Sequence, residues 1–334
     1  MMIRLLSRWS KRPRFFTSAA AASPAAAAAL PVYTHPDYTL ELPTAHTFPM
    51  ARYAGVAAGG RRCAGISVRL AAVPATLQQV CLAHDEEYMR AFVRRGGLTD
   101  RQVRTMGFPW SYELVRRTFR ITGATLSCVD DVLAQGCRAA GNLAGGTHHA
   151  FRGHAEGYCI VNDIGVAAKV AQRDYQVGQC VVVDLDVHQG NGTAEIFDDD
   201  DSVFTFSLHG DKNYPWKSRW PSDLDIGVQD DITGDAYLAA VEKGLAEIER
   251  RISMQNVDLV FYQAGVDPLA EDRLGRLKLT REDLQARNAL VYSWCEAWGA
   301  RVVITMGGGY SKDISHSVRA HTDVFSQAAN MLVA

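Results

Sequence analysis

The sequence lacks the features that define several common protein classes. Its seven cysteines are odd in number and form no CxxC pair, which argues against a disulfide framework and a thiolate zinc site. No apolar run approaches the roughly 20 residues that a membrane-spanning helix needs, so we expect no membrane span. GxGxxG and the Walker lysine are both missing, which disfavours a nucleotide site. No repeat or flexible linker divides the region after residue 54, which predicts a single domain there.

Acidic residues are missing from the first 36 positions, which contain five basic residues separated by Ser, Thr and Phe. This composition is typical of organellar transit peptides, and residues 14–18 resemble a mitochondrial processing site. A plastid address fits the composition nearly as well, and a disordered tail is the alternative. Removing those basic residues would change the formal net charge from −2 to about −7. An acidic body does not suggest direct nucleic-acid binding and favours cationic substrates only weakly.

What is present is an ordinary globular composition, with 334 residues, 47% of them hydrophobic and 22% charged. A short strand is predicted at 31–34, and four apolar runs rich in β-branched residues predict buried parallel strands at 179–185, 202–208, 257–264 and 301–306. Helical patterns lie at 130–144, 235–252 and 280–298, the last opening with Thr280 as N-cap. Alternating strands and helices predict an α/β fold whose mostly parallel central sheet has helices on both faces.

Chemically useful side chains follow the strand ends. Asp184, Asp186 and His188 alternate along one strand end and therefore point to the same face, and Asp267 follows another strand. The carboxyl ends of parallel strands open on one edge of a sheet, where such folds bind ligands. Two carboxylates and one imidazole suit Zn²⁺ or Fe²⁺, so Asp186, His188 and Asp267 are the predicted ligands. Asp184 lies one alternation deeper and is predicted to support a histidine.

Two further motifs supply groups for proton transfer and charge stabilisation. His148 and His149 are adjacent on a glycine-rich loop, and beside a metal site they can act as a general base and a group that steadies charge. Tyr310 follows three glycines after the strand at 301–306, where its phenol can donate to a polarised carbonyl. Tyr158 and Trp216 are loop aromatics that can wall a narrow slot, although Trp216 fits ordinary packing equally well.

In this order, the motifs GGTHHA, EGYCIVND, VDLDVHQGNGT, AGVDP and GGGY resemble the zinc-dependent histone deacetylase superfamily. The resemblance runs from about residue 31 to 330, and HPDY, HTFPM and HGDKNYP look most like class IV deacetylases and their bacterial relatives. It implies a single-domain arginase/deacetylase-like fold with its site at the C-terminal strand ends. Residues 31–334 would form the catalytic domain and residues 1–30 the leader.

The resemblance also implies roles for individual residues. Asp184 would support His148, and Asn191 would stand beside His149, where some classes have aspartate. The amide should leave His149 the less basic of the two, which makes it the favoured general base at neutral pH. Gly157, Tyr158 and Gly308 would contact substrate, although Tyr158 stands where the family usually has Phe. A structural potassium ion would bind main-chain oxygens and one hydroxyl, in a set that comprises Asp184, Asp186, His188, Ser207 and Leu208.

The expected activity is metal-dependent removal of acetyl or longer acyl groups from the Nε of lysine in proteins. The nearest alternative is hydrolysis of a small acetylpolyamine by the same residues. An alternative of another class is a non-catalytic acyl-lysine-binding scaffold, although a mere binder has no need of the complete residue set. An arginase-type two-metal enzyme is disfavoured because Gly190 and Asn191 stand where further acidic ligands would be needed. The leader favours a mitochondrial or chloroplast location, with nucleus or cytosol as the alternative.

Overall fold

The computed structural model describes residues 29–71 and 73–333. The predicted leader at 1–30 therefore lies outside the described residues, except for its last two positions. No helix in the described ranges is long and apolar enough to cross a membrane. All seven cysteines are free, and four of them are buried, as expected for reduced core residues.

The strands form one eight-stranded sheet in which every described pairing is parallel, with the order β2-β1-β3-β8-β7-β4-β5-β6. The strands are β1 (Leu30–Thr34), β2 (Ile66–Leu70), β3 (Ala139–Asn142), β4 (Cys180–Asp184), β5 (Val203–Gly210), β6 (Leu224–Val228), β7 (Leu259–Gln263) and β8 (Arg301–Thr305). The central strands β4 and β7 are buried along their whole length, as expected when helices cover both faces.

Helices connect the strands and cover the sheet. They are α1 (Arg52–Gly60), α2 (Leu77–Val80), α3 (Glu86–Val93), α4 (Asp100–Met106), α5 (Tyr112–Leu133), α6 (Asp163–Tyr175), α7 (Asn191–Phe197), α8 (Gly234–Arg251), α9 (Arg281–Trp298) and α10 (Ile314–Ala328). Short 3₁₀ segments lie at Pro36–Tyr38 and Met254–Asn256, and a π-helical turn, Ala329–Val333, follows α10. The side chain of Thr280 caps α9 by accepting from the main-chain N–H of Asp283, as predicted.

Adjacent residues of β3 show that the two faces of the sheet are covered by different helices. A Cβ at Gly141 would lie 2.6 Å from the ring of Phe325 in α10. The next side chain, Asn142, points to the other face, where its Nδ2 donates to the main-chain oxygen of Ile121 in α5 at 2.9 Å. Because successive strand residues point to opposite faces, α5 and α10 lie on opposite sides of the sheet. The two-sided architecture predicted from the sequence is confirmed.

The predicted strands differ from the observed ones at their ends by one or two residues, but one predicted element is wrong. The helical pattern at 130–144 is the end of α5, a turn and then strand β3. Alanine and glycine dominate β3, so its sequence favours helix or turn over strand. Tertiary pairing decides its structure, since β3 lies between β1 and β8 with all four residues buried. Strands β2 and β6, at the edges of the sheet, were also missed.

Candidate active site

The candidate site lies where β4 ends. Asp184 is the last residue of β4, and its Oδ1 accepts from the main-chain N–H of Asp186 at 3.1 Å. In turn, Asp186 Oδ1 accepts from the main-chain N–H of His188 at 3.0 Å. From the end of β7, Asp267 Oδ1 accepts from the main-chain N–H of Val187 at 2.9 Å. These bonds bring residues about 80 positions apart in sequence to one edge of the sheet.

The three predicted metal ligands form a compact buried group. Asp186, His188 and Asp267 each offer a ligand atom, and these atoms all lie within 4.8 Å of one another. Nδ1 of His188 is 3.0 Å from Asp186 Oδ1 and 3.1 Å from Asp267 Oδ2. This donor set is one that Zn²⁺ or Fe²⁺ accepts.

The electrostatics of these ligands also fit a divalent cation. Oδ2 of Asp267 is buried, and its 3.1 Å contact with Nδ1 of His188 is not aligned as a hydrogen bond, although buried carboxylate oxygens normally have aligned partners. Burial, and then the charge of Asp186, raise the pKa of Asp267 to about 7. Burial alone would lower the pKa of His188, but the two carboxylates outweigh it and raise that pKa to about 10. A cation between these groups would supply the positive charge that the two carboxylates need.

The histidine pair faces this group, and its two rings lie 4.1 Å apart between centroids. Nδ1 of His148 lies 2.6 Å from Asp184 Oδ2, and Nδ1 of His149 lies 2.7 Å from Asn191 Oδ1. Both contacts join the partners expected from the sequence. Burial lowers the pKa of His148, but the charges of Asp184 and Asp186 outweigh it and raise the pKa to about 8.

His149 has the opposite shift. Burial, and then the neighbouring His148 and His188, hold the pKa of His149 well below its usual value of 6.5. Its partner Asn191 contributes no charge that could offset this, whereas His148 has a carboxylate. His149 is therefore the less basic member of the pair, in the direction expected from its amide partner.

Tyr310 lies beside the ligands after the glycine run that follows β8. Its ring centroid is 6.4 Å from that of His188 and 6.5 Å from that of Tyr158. Burial raises the pKa of the Tyr310 phenol well above 10, so the hydroxyl stays protonated and can donate a hydrogen bond. The main-chain N–H of Tyr310 donates to Asp272 Oδ2 at 2.5 Å, and the guanidinium of Arg52 lies 5.3 Å from the ring centroid.

A cavity of about 540 Å³ leads to His149 and His188. Gly157, Tyr158 and Tyr214 line its walls, so two of the three substrate-contact predictions lie here. Gly157 and Tyr158 have φ values of 54° and 69°, and their main-chain N–H groups donate to Thr105 and Met106 in α4. The left-handed backbone turns the Tyr158 ring into the cavity wall.

Gly308, the third predicted substrate contact, lies against the predicted metal ligands and is not among the residues that line this cavity. Its main-chain N–H donates to Asp186 Oδ2 at 2.7 Å. A Cβ at this position would lie 1.9 Å from Asp267 Oδ2, which no real contact permits. The close approach explains why glycine occupies this position.

The residues expected around potassium lie together at the ends of β4 and β5. Asp184 pairs in register with Ser207, and Leu208 follows Ser207 in β5. The hydroxyl of Ser207 lies 3.0 Å from Nδ1 of His209. The potassium site itself stays a prediction.

Three features of the site were not predicted from the sequence. Asp163, at the start of α6, accepts from the main-chain N–H groups of Gly146 and Thr147 and thereby holds the histidine loop. Glu156, the first residue of the EGYCIVND motif, lies buried behind Asn191. The cavity is lined by Arg104, Arg273 and Arg276 and by no carboxylate among the described residues. The order EGYCIVND contained the first two acids, but nothing in it indicated what they contact.

Comparison with known proteins identifies the family. A family model described as the histone deacetylase domain matches residues 46–325. An uncharacterized protein of Picosynechococcus sp. is 39% identical over 301 residues, which cover 87% of this chain and 96% of that protein. The histone deacetylase-like amidohydrolase of Pseudomonas aeruginosa is 30% identical, over 74% of this chain and 68% of that protein. The polyamine deacetylase HDAC10 of Danio rerio is 33% identical over 57% of this chain, but the match spans only 28% of that protein.

Solved structures agree on the fold. The crystal structure of an HDAC homologue from Aquifex aeolicus has a TM-score of 0.75 and 21% sequence identity, covering 90% of this chain and 84% of that one. The HD domain of HDA15 has a TM-score of 0.72 and 23% identity, covering 89% of this chain and 90% of that one. The arginase/deacetylase-like architecture expected from the sequence is confirmed. The family model, which spans most of the chain, shows that this protein belongs to the histone deacetylase family.

Proposed function

We propose that this protein is a metal-dependent hydrolase that removes acyl groups from the Nε of lysine side chains in proteins. The observation that carries the proposal is the convergence of three groups of residues around His149 and His188, which line one cavity. These are the ligand set Asp186, His188 and Asp267, the pair His148 and His149, and Tyr310. Together they offer a metal-binding site, a general base and a hydrogen-bond donor, and amide hydrolysis uses all three.

The ligand set would hold Zn²⁺, with Fe²⁺ as the alternative. A divalent ion bound there supplies a Lewis acid for the acyl carbonyl and acidifies water. The chain's own residues supply the other parts of the reaction. The low pKa of His149 keeps its ring neutral at pH 7, so it can accept a proton from the attacking water.

His148 and Tyr310 stabilise the charge that develops on the acyl oxygen, and the histidine pair returns the proton. His148, with its pKa raised to about 8, is largely protonated at pH 7 and steadies the negative charge that develops on the acyl oxygen. The protonated phenol of Tyr310 donates a hydrogen bond to the same oxygen. The proton taken up by the histidine pair then goes to the departing lysine amine.

The mouth of the cavity favours a lysine in a protein over a polyamine. Acetylpolyamines keep positive charges beyond the acetylated nitrogen, and these would meet the guanidinium groups at the mouth. Arg276 is paired with Asp230. Within residues 29–71 and 73–333, Arg273 donates only to main-chain oxygens, and no carboxylate bonds to Arg104. Trp216 and Leu274 are 72% and 45% exposed at this mouth and offer apolar surface to a peptide.

The class of deacetylase and the location in the cell are proposed from the sequence alone. The motifs around HPDY and HGDKNYP support placement near class IV deacetylases and their bacterial relatives. The basic, acid-free leader supports a mitochondrial or plastid location, with residues 31–334 as the catalytic domain. A fusion of residues 1–36 to a fluorescent protein would test the address.

The activity is tested by hydrolysis of lysine peptides that carry acyl groups from acetyl to myristoyl. The full chain is assayed with added Zn²⁺, with Asp186→Ala as the matched control that lacks one ligand. We expect a metal-dependent rate that is lost in the control, and its dependence on acyl length reports the depth of the slot beside Tyr158. If the metal-loaded protein cleaves acetylpolyamines but no peptide, the small-molecule alternative is correct. If it cleaves neither kind of substrate, the scaffold alternative is correct.

A further inference from the structure

Glu156 is a buried acidic residue next to the histidine pair that the proposed mechanism does not use. Only 8% of it is exposed. Its Oε1 accepts from three side chains, Asn191 Nδ2 at 3.2 Å, the hydroxyl of Tyr214 at 2.5 Å and the hydroxyl of Ser218 at 2.5 Å. A buried carboxylate that accepts from three side chains differs from an acidic residue on the surface, which is mostly hydrated. It also contacts Asn191, the hydrogen-bond partner of His149.

The two ends of the Asn191 amide meet different partners. Both N–H bonds of Nδ2 point at acceptors, one at Glu156 Oε1 and the other at the main-chain oxygen of Ser218, 2.9 Å away. Oδ1 faces Nδ1 of His149 at 2.7 Å. A reversed amide would aim its oxygen at the carboxylate and the carbonyl, neither of which can donate a hydrogen bond. The hydroxyl of Ser218, 3.4 Å from Nδ2, already donates its proton to Glu156. The network therefore holds the Asn191 oxygen toward His149.

This orientation selects one tautomer of His149. An amide oxygen can only accept, so Nδ1 of the neutral ring must carry the proton, and the lone pair then lies on Nε2. The ring of His149 lines the cavity that leads to the ligand set. The reversed amide would place a donor against Nδ1 and the proton on Nε2, where the ring could not act as a base.

We propose that Glu156 is a positioning residue, which holds the amide of Asn191 so that His149 keeps its proton on Nδ1 and presents a free Nε2 to the cavity. Its expected effect on turnover rests on the deacylase function proposed above. The tautomer itself can be measured without turnover, so a failure of that function and a failure of this inference give different results.

A purely structural role for Glu156 makes a different prediction. Glu156 also tethers the loop that carries Tyr214 and Ser218, so its loss could simply loosen a wall of the cavity. Loosening of that wall would raise KM for the peptide. Loss of the His149 tautomer would instead lower kcat and change the ring nitrogens of His149.

The first test compares Glu156→Ala with Glu156→Gln. Protein labelled with ¹⁵N-histidine reports the tautomer of each ring by long-range ¹H–¹⁵N spectra, with the His149 signals assigned from a His149→Gln sample. In Glu156→Ala we expect mixed tautomers of His149 and a fall in kcat of about 10-fold, in the range seen when a supporting hydrogen bond is removed. The glutamine oxygen can still accept from Asn191, so Glu156→Gln should keep the tautomer and most of kcat. His154→Gln, which changes only the neighbour 3.8 Å from Glu156 Oε2, is the matched control.

The second test moves the carboxylate and applies even if Glu156→Ala does not fold. Asn191→Asp alone puts two carboxylates where Asn191 now donates to Glu156, and we expect low turnover because they repel each other. Adding Glu156→Gln supplies a donor amide to the new carboxylate, which removes the repulsion and fixes that carboxylate against His149. A carboxylate can only accept, so both variants should keep the proton of His149 on Nδ1. The double variant should nevertheless exceed Asn191→Asp in kcat by about 10-fold, because only there is the new carboxylate held in place against the ring.

Several results would overturn the inference. An unchanged His149 tautomer in Glu156→Ala is one. Equal losses in the alanine and glutamine variants would mean that the charge of Glu156, and not its place as an acceptor, is what matters. A double variant no better than Asn191→Asp is the third.

Discussion

A buried histidine outside the active site, His84, should make the stability of this protein depend on pH. Its ring is 3% exposed and bridges two segments of the loop that connects β3 to α6. Nδ1 lies 2.9 Å from the main-chain oxygen of Phe151, and Nε2 accepts from the main-chain N–H of Asn162 at 2.9 Å. Protonation would put a second N–H on the ring directly against the N–H of Asn162, so the native state holds His84 neutral.

The size of the effect follows from the pKa. Burial lowers the pKa of His84 from 6.5 to about 4. Well above pH 6.5 the ring is neutral in both states and its contribution is complete. As the pH falls below 6.5 the unfolded chain takes up a proton that the native protein takes up only near pH 4, so the free energy of unfolding decreases. The loss is about 2 kcal/mol at pH 5 and about 3 kcal/mol below pH 4.

Urea unfolding followed by tryptophan fluorescence at pH 8, 7, 6 and 5 measures this loss. The matched variant is His84→Asn, whose amide can still donate to Phe151 but does not titrate. It should be less stable at pH 8 by about 1–3 kcal/mol, because the Asn162 N–H loses its acceptor. Its disadvantage should shrink by about 2 kcal/mol between pH 8 and 5. Parallel pH profiles for the two proteins would refute the reasoning.

Three further predictions concern the site. Tyr310→Phe should lower turnover by about 100-fold, because one donor to the oxyanion is lost, and metal analysis should find its metal content unchanged. Full activity would remove the proposed tyrosine role. Gly308→Ala would force a Cβ to within 1.9 Å of Asp267 Oδ2, so metal titration should find affinity lowered by about 10-fold or more. Gly178→Ala, where the nearest atom is 3.6 Å away, is its control, and equal affinities would contradict the steric argument. Finally, acyl-lysine peptides with flanking aspartates should exceed lysine-flanked ones in kcat/KM by about 3–10-fold at low salt, and Arg104→Gln should reduce that preference. No preference in the parent protein would dismiss the cationic mouth as a determinant.

The ligand set could be predicted because its logic is local or follows from a general rule. Asp186 and His188 were expected to continue the alternation of β4, but the strand ends at Asp184 and the two ligands lie in the bend directly after it. The prediction still holds because the ligands follow a strand end closely, as Asp267 follows a second apolar run. Parallel strands bring such ends together whatever separates them in sequence. The ordered motifs around them indicated the family, which the comparisons confirmed.

Strand β3 shows where this reasoning fails. Its four residues, Ala139–Asn142, carry no strand-favouring side chains, so the sequence predicted that they belong to a helix at 130–144. Only pairing with β1 and β8 gives these residues their conformation, and a single sequence contains no information on which strands are neighbours. Strands β2 and β6 were missed at the sheet edges, where half-exposed residues leave a weak apolar pattern.

The sequence by itself determined the kind of fold, the donor types and the family, because periodicity and residue chemistry are written along the chain. Only the tertiary structure decided that Glu156 contacts Asn191 and that three arginines line the cavity. Glu156 reaches Asn191 across 35 positions, and Arg104 meets Arg276 at one mouth although they lie far apart in sequence. Such contacts depend on which loops the sheet brings to the same edge. They set the orientation of an amide and the charge at the mouth, and neither can be calculated from residue identity alone.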